Sequence, residues 1–123
     1  MKVIIAGSRN LVKLFHIEDA IKKSGFEITE VVSGCAVGAD SLGEYWAAKN
    51  DIPVKKFPAP WDQYGKAAGA IRNVQMAEYA DAAIVVWDGA SKGSKHMIKV
   101  MHDRRKSCHV HVFVSDNFMD DSE

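Results

Sequence analysis

Five short apolar runs, rich in β-branched residues, recur along the chain at Lys2–Ala6, Thr29–Ser33, Val54–Phe57, Ala82–Trp87 and His109–Val114. Stretches such as "AAIVVW" are continuously apolar rather than alternating, the pattern of strands covered on both faces. Between the runs the apolar positions change to helical spacing. Leu14, Ile17, Ala20 and Ile21 mark one helix, and Leu42, Tyr45, Trp46 and Lys49 a second. Ile71, Val74, Gln75, Met76 and Tyr79 mark a third, and Met97, Ile98 and Met101 a fourth. Strands alternating with single helices predict βαβ units. The fold class is therefore α/β: a doubly wound, mainly parallel five-stranded sheet with helices on both faces.

That architecture says where to look for chemistry. In open parallel sheets, ligands sit at the carboxyl ends of the strands, near the point where the strand order reverses. The segments that follow strands are "GSRN", "GCAVGAD", "PAPWDQYGKAAGAIRN" and "DGASKGSK". Three of them carry glycine pairs, and each leads towards a helix. The proline cluster "FPAPW", Phe57 to Trp61, opens a loop after the third strand.

Length and composition narrow the picture. A chain of 123 residues is one domain, large enough to bury a core without staples. The domain is read as residues 1–115, followed by an acidic flexible tail at 116–123 within "SDNFMDDSE". Sixteen basic side chains balance sixteen acidic ones, which weighs against a general nucleic-acid binder. No stretch approaches the roughly 18 apolar residues of a membrane span. The run before Gly7 is too short for a signal peptide, so a cytoplasmic protein without a membrane partner is expected. Cys35 and Cys108 suit reduced thiols better than a disulfide framework.

Each loop has a functional and a plain structural reading. Gly7, Ser8 and Arg9 offer close backbone approach, a hydroxyl and a guanidinium fork for phosphate, or simply a turn with a solvated arginine. Gly34 and Gly38 free the backbone so that N–H groups at the next helix start face an anion. Asp40 and Glu44 then share one helical face, where either carboxylate could hold ribose hydroxyls or act as a general base. The plain alternative is that Asp40 caps the helix and Glu44 is solvated. Asp88, Gly89, Gly93 and Ser94 form a loose phosphate cradle. A Walker A loop needs lysine before serine or threonine, whereas Ser94 precedes Lys95, so a P-loop kinase or ATPase is excluded. Arg72 and Asn73 fall well inside a helix. A half-buried arginine needs either a protein carboxylate or an anionic ligand as its partner.

Other residues carry less. Trp61 follows two prolines and has the shape to stack on a base, but Trp46, Trp61 and Trp87 are expected first as packing residues. His109 and His111 alternate near Cys108 and His102 without a tight metal-ligand constellation, so no metal is expected. No Gly-x-Ser-x-Gly elbow is present to support a hydrolase triad.

Taken together, "GSR", "VVSGCAVGADSLGEYWA" and "PVKKFPAPWDQYGKAAGAIRNVQMAEYADAAIVVWDGASKGSKHMI" resemble the YspA-type branch of the SLOG superfamily, named for the SMF/DprA and LOG proteins. The match runs in order over nearly the whole chain except the tail. It implies a Rossmann-like domain binding a nucleotide or nucleotide-derived ligand, with no cofactor. It places Gly7, Ser8, Arg9, Gly34, Gly38, Asp40, Arg72, Asn73, Asp88, Gly89, Gly93 and Ser94 at the ligand cleft, with Glu44 a weaker member. Related LOG enzymes dimerise, which leaves a homodimer open. LOG members cleave the N-glycosidic bond of nucleoside monophosphates, whereas the DprA branch binds single-stranded DNA, a role that neutral charge disfavours here.

This chain departs from the family's pattern at two points. Cys35 and Val37 stand where relatives carry glycine and arginine in Gly-Gly-Ala-Arg-Gly-Ala-Asp, so one phosphate fork is missing. The segment "KGSKHM" also lacks the glutamate that LOG enzymes place after their glycine loop. Binding of a nucleotide-derived phosphorylated ligand, with sensing as one use of it, is thus expected. The alternative is a nucleotide N-glycosidase or phosphohydrolase drawing its carboxylate from Asp40, Glu44 or Asp88.

Overall fold

The apolar runs become five strands in the computed structural model, which describes residues 1–11 and 13–114. The acidic tail read at 116–123 lies outside the described residues. The order is β1 (Lys2–Gly7), α1 (Leu14–Ser24), β2 (Glu30–Ser33), α2 (Ala39–Lys49), β3 (Val54–Lys56) and a short α3 (Trp61–Tyr64). A 3-10 turn over Gly65–Ala67 leads into α4 (Ala68–Tyr79), followed by β4 (Ala82–Trp87), α5 (Lys92–Asp103) and β5 (Ser107–Val112).

The strands lie in the order β3-β2-β1-β4-β5, and every neighbouring pair is parallel. The sheet is therefore all parallel and Rossmann-like. β1 is central, with Val3 opposite Val31 on one side and Ala82 on the other.

Strand alternation splits the buried residues between two layers. Val3, Ile5, Val31, Ile84 and Val86 pack with Ile17 and Ala20 of α1 and with Ala39 and Ala47 of α2. Ile4, Ala6, Val32, Ala83 and Val85 pack with Met76 and Ala77 of α4 and with Met97 and Met101 of α5. Both faces need apolar side chains, which is why the strands read as unbroken apolar runs. Burying a side chain such as Ile4 or Ile84 contributes about 1.5–3 kcal/mol.

Three expectations shift. The last strand begins at Ser107, two residues before the apolar run, because Ser107 and Cys108 pair with Ala82 and Ala83 of β4. Beyond its end, Phe113 turns into the core and donates its N–H to the Trp87 carbonyl at 3.0 Å. The prolines open a loop as expected, but it is short: Phe57–Pro60 leads directly into α3 and the turn. Trp61 is not a core residue: it is 53% exposed, whereas Trp46 and Trp87 pack against the two core layers.

Two features fix the site. After β3 the chain returns to pair β4 on the other side of β1, so the loops leaving β1 and β4 diverge and open a crevice. One wall of that crevice is α4, whose last turn has no basic residue of its own. Lys106 supplies the missing cap, its Nζ donating to the carbonyls of Ala77 at 2.7 Å and Ala80 at 2.8 Å. Among the described residues no helix is long and apolar enough to cross a membrane.

Candidate functional site

A cavity of about 400 Å³ opens at the carboxyl ends of β1 and β4. Its floor is Ala6 and Gly7 with Met76 and Met97, and its rim takes Arg9 and Asn10 from the loop after β1. Ala36 and Asp40 close one side, Arg72 and Asn73 another. Asp88, Ser91, Gly93 and Ser94 close the third.

The β4–α5 segment is built from its own hydrogen bonds. Asp88 Oδ1 accepts the N–H groups of Ala90 and Ser91, both at 2.9 Å, which holds its carboxyl below the usual carboxylate range. Trp87 Nε1 donates to the Ser91 carbonyl at 3.0 Å. Ser91 Oγ meets Ser94 Oγ at 3.0 Å and Ser8 Oγ at 3.2 Å. Ser8 also accepts the Asp88 N–H at 2.9 Å, so this buried hydroxyl ties the first loop to the fourth. The segment delivers the start of α5 to the cavity. An α-helix leaves its first N–H groups without intrahelical partners, and here they lie beside Gly93 and Ser94.

The β2–α2 segment is held from outside. Arg72 reaches from α4, donating from Nη1 to the Gly34 carbonyl at 2.6 Å and from Nε to Asn73 Oδ1 at 3.2 Å. A Cβ at Gly34 would come within 2.8 Å of both Arg72 Nη1 and Asp40 Oδ2, so a side chain there would displace one or both. At Gly38, φ is +79° and a Cβ would lie 2.4 Å from the Ser8 carbonyl oxygen. The next residue, Ala39, donates its N–H to that same carbonyl at 3.2 Å. The start of α2 is thus partly consumed in joining loops.

Asp40 is 4% exposed. Burial pushes its carboxyl up to about 6, against the opposing pull of the Ala36 N–H at 3.3 Å and the nearby Arg72 guanidinium. The paired reading of Asp40 and Glu44 separates here. Glu44 neither lines the cavity nor stands in solvent: Ser33 Oγ donates to it at 2.5 Å, and Lys56 Nζ lies 3.7 Å away. Ser33 Oγ in turn accepts the Cys35 N–H at 3.1 Å, which holds Cys35 at φ +65°. Val37 is 64% exposed on the outer side of the same turn.

Of the residues singled out in the sequence, the structure gathers Gly7, Arg9, Asp40, Arg72, Asn73, Asp88, Gly93 and Ser94 around one cavity. Ser8, Gly34 and Gly38 lie behind it as joints between loops, and Gly89 lies at the turn outside the lining. Asn73 orients α4 against α5, its Nδ2 reaching the Gly93 carbonyl at 3.3 Å and His96 Nδ1 at 3.1 Å. Sequence reasoning passed over Ser91, Met76 and Met97. The methionines read as helix-core positions, and they are that as well as the cavity floor. Among the described residues no group of three or more His, Cys, Asp or Glu is placed to hold a metal ion.

An all-parallel Rossmann-like sheet with a polar cleft at its switch point defines the class: an α/β domain with a small-molecule-sized cavity. The chain belongs to the YspA, cpYpsA-related SLOG family, whose model matches residues 1–64. It is also 30% identical over 108 residues to the Gene 61 protein of Mycobacterium phage D29, covering 80% of this chain and 86% of that protein. No solved structure matches the chain. Membership suggests binding or processing of nucleotide-related ligands.

Proposed function

We propose that the protein binds a phosphorylated nucleoside in the cavity at the ends of β1 and β4, in the cytoplasm. The observation that carries this reading is the convergence of Arg9, Arg72 and the start of α5 on one cavity of about 400 Å³. Helix-start N–H groups and guanidinium groups together suit phosphate oxygens. Asp40 and Asn73 are further polar groups in the lining, suited to sugar hydroxyls. Met76 and Met97 supply an adaptable apolar floor.

The test is a thermal scan against a panel of nucleoside mono- and diphosphates. A true ligand at about 100-fold above its Kd should stabilise by about 2.7 kcal/mol. The Arg72→Ala variant should bind at least tenfold more weakly, about 1.4 kcal/mol. If no nucleotide raises the melting temperature, the reading fails.

A hydrolase reading draws support from one observation, the buried Asp40 carboxyl with its pKa raised to about 6 beside the cavity. Such a group is tuned for proton transfer near neutral pH. Glu44 and Asp88 are poorer candidates, the first engaged with Ser33 and the second with two backbone N–H groups. Release of free base from a nucleoside monophosphate, lost in Asp40→Asn, would favour the enzyme. Binding without release would favour a sensor.

A further inference from the structure

Trp61 does not line the cavity but approaches Arg72, which does. A tryptophan offers 150–250 Å² of largely apolar surface, and this one leaves about half of its surface open to a planar partner. Its indole sits on α3 with 53% of its surface exposed, and Cη2 reaches over Gly69 in the first turn of α4. Gly69 is three residues before Arg72, so both lie on the same face of α4. A Cβ at Gly69 would lie 3.9 Å from Trp61 Cη2 and 3.9 Å from Arg72 Nη2. An indole carbon and a guanidinium nitrogen therefore both lie at van der Waals distance from the point that a Gly69 side chain would occupy.

Arg72 is held in place by its two other nitrogens. Nη1 is spent on the Gly34 carbonyl and Nε on Asn73 Oδ1. The planar guanidinium is thereby fixed, with Nη2 3.9 Å from the Gly69 Cβ position and the residue in the cavity lining.

We propose that Trp61, Gly69 and Arg72 form a slot that takes the planar base of the ligand, making Trp61 the residue that reads the aromatic part. A flat π-system suits both walls: it stacks on indole and accepts a guanidinium against its face. The phosphate then falls chiefly to Arg9 and the start of α5, with Arg72, in the same lining, serving both ends of the ligand. This rests on the phosphorylated-nucleoside reading above and adds which end of that ligand points where.

The experiment compares the four common nucleoside 5′-monophosphates with ribose 5-phosphate by calorimetry, on the wild-type chain and two variants. Trp61→Ala removes one wall from an exposed position. Gly69→Leu fills the slot while replacing a helix glycine by a better helix former, so it should fold. In the wild type at least one nucleotide should bind about tenfold or more tightly than ribose 5-phosphate, as stacking on one aromatic side chain allows. Both variants should lose that margin while the Kd of ribose 5-phosphate moves by no more than about twofold. A margin that survives in both variants, or a base that adds nothing in the wild type, overturns the slot but leaves the phosphate site standing. If neither nucleotides nor ribose 5-phosphate bind the wild type, the phosphate reading itself fails and the slot with it.

Discussion

The two loops that face each other across the cavity are stabilised in opposite ways. The β4–α5 segment is shaped mainly by its own bonds: Asp88, Trp87, Ser91 and Ser94 bond within it, its carboxylate is stabilised by backbone N–H groups, and Ser8 and Asn73 add ties from outside. The β2–α2 segment leans on other elements, with Arg72 at Gly34, Ser8 at Ala39 and the Ser33–Glu44–Lys56 chain behind Cys35. It also holds the two costly features of the site, a buried carboxylate and a cysteine in the left-handed region. One wall arrives pre-organised, and the other is assembled from distant parts. Ligand-dependent adjustment is therefore to be sought on the β2–α2 side.

The harshest way to break this contrast is to crowd the joint. Gly38→Ala forces a Cβ against the Ser8 and Arg9 carbonyls from a φ of +79°, and should destabilise by about 3 kcal/mol in denaturant unfolding. Gly93→Ala, on the opposite wall, meets nothing within 4 Å and should be neutral or gain up to about 1 kcal/mol. Equal losses in the two variants would erase the distinction.

The next largest effect is in pH dependence, where the two carboxylates carry opposite signs. The Asp40 pKa is raised on folding, so its contribution is fully present below the ordinary carboxylate pKa and is lost as pH rises through about 6. The size is about 3 kcal/mol at most. Asp88 is lowered, so its contribution is present above the ordinary range and lost as pH falls through its folded value. Asp40→Asn should flatten stability between about pH 4 and 6 and raise the neutral-pH melting temperature. Asp88→Asn should flatten only the acid limb. A neutral-pH loss in Asp40→Asn would show that its bond to Ala36 and its proximity to Arg72 outweigh the burial penalty.

The smallest effect is at Cys35. A side chain at φ +65° costs about 1–2 kcal/mol, part of which glycine gives back through its freer unfolded chain. Cys35→Gly should stabilise by about 1 kcal/mol, seen as a shift in the denaturation midpoint. No gain would mean that the hydrogen bond from Cys35 N–H to Ser33 relieves the strain entirely.

These residues also show what the sequence could and could not reveal. Strands β1 and β4 were legible because both faces are buried and every position had to be apolar. The first two residues of β5 are not legible, because Ser107 and Cys108 enter the edge of the sheet through backbone pairing, which leaves no apolar signature. The loops of the site were legible because parallel sheets put ligands at strand ends. The division between cavity residues and joints was not. Ser8 and Arg9 are adjacent, yet one is buried under Asp88 and the other is on the rim. Asp40 and Glu44 share a helix face, but Ser33 and Lys56 draw Glu44 away. Such choices depend on partners supplied from elsewhere in the fold. Cys35 is the instructive middle case: its departure from a glycine pattern was visible in the letters, and the left-handed backbone supplies the reason.

The central place of β1 governs when the site can exist. Its Lys2 N–H is held by the carboxylate of Asp81, 79 positions later, and its far side is covered only by β4. A growing chain can pair β1 with β2 and β3 early, but the crevice has one wall until β4 and α5 dock. Closing so long a loop is entropically slow compared with local pairing. Assembly of the cavity thus comes late in folding, and appearance of ligand binding during refolding would time the docking of the second half on the first.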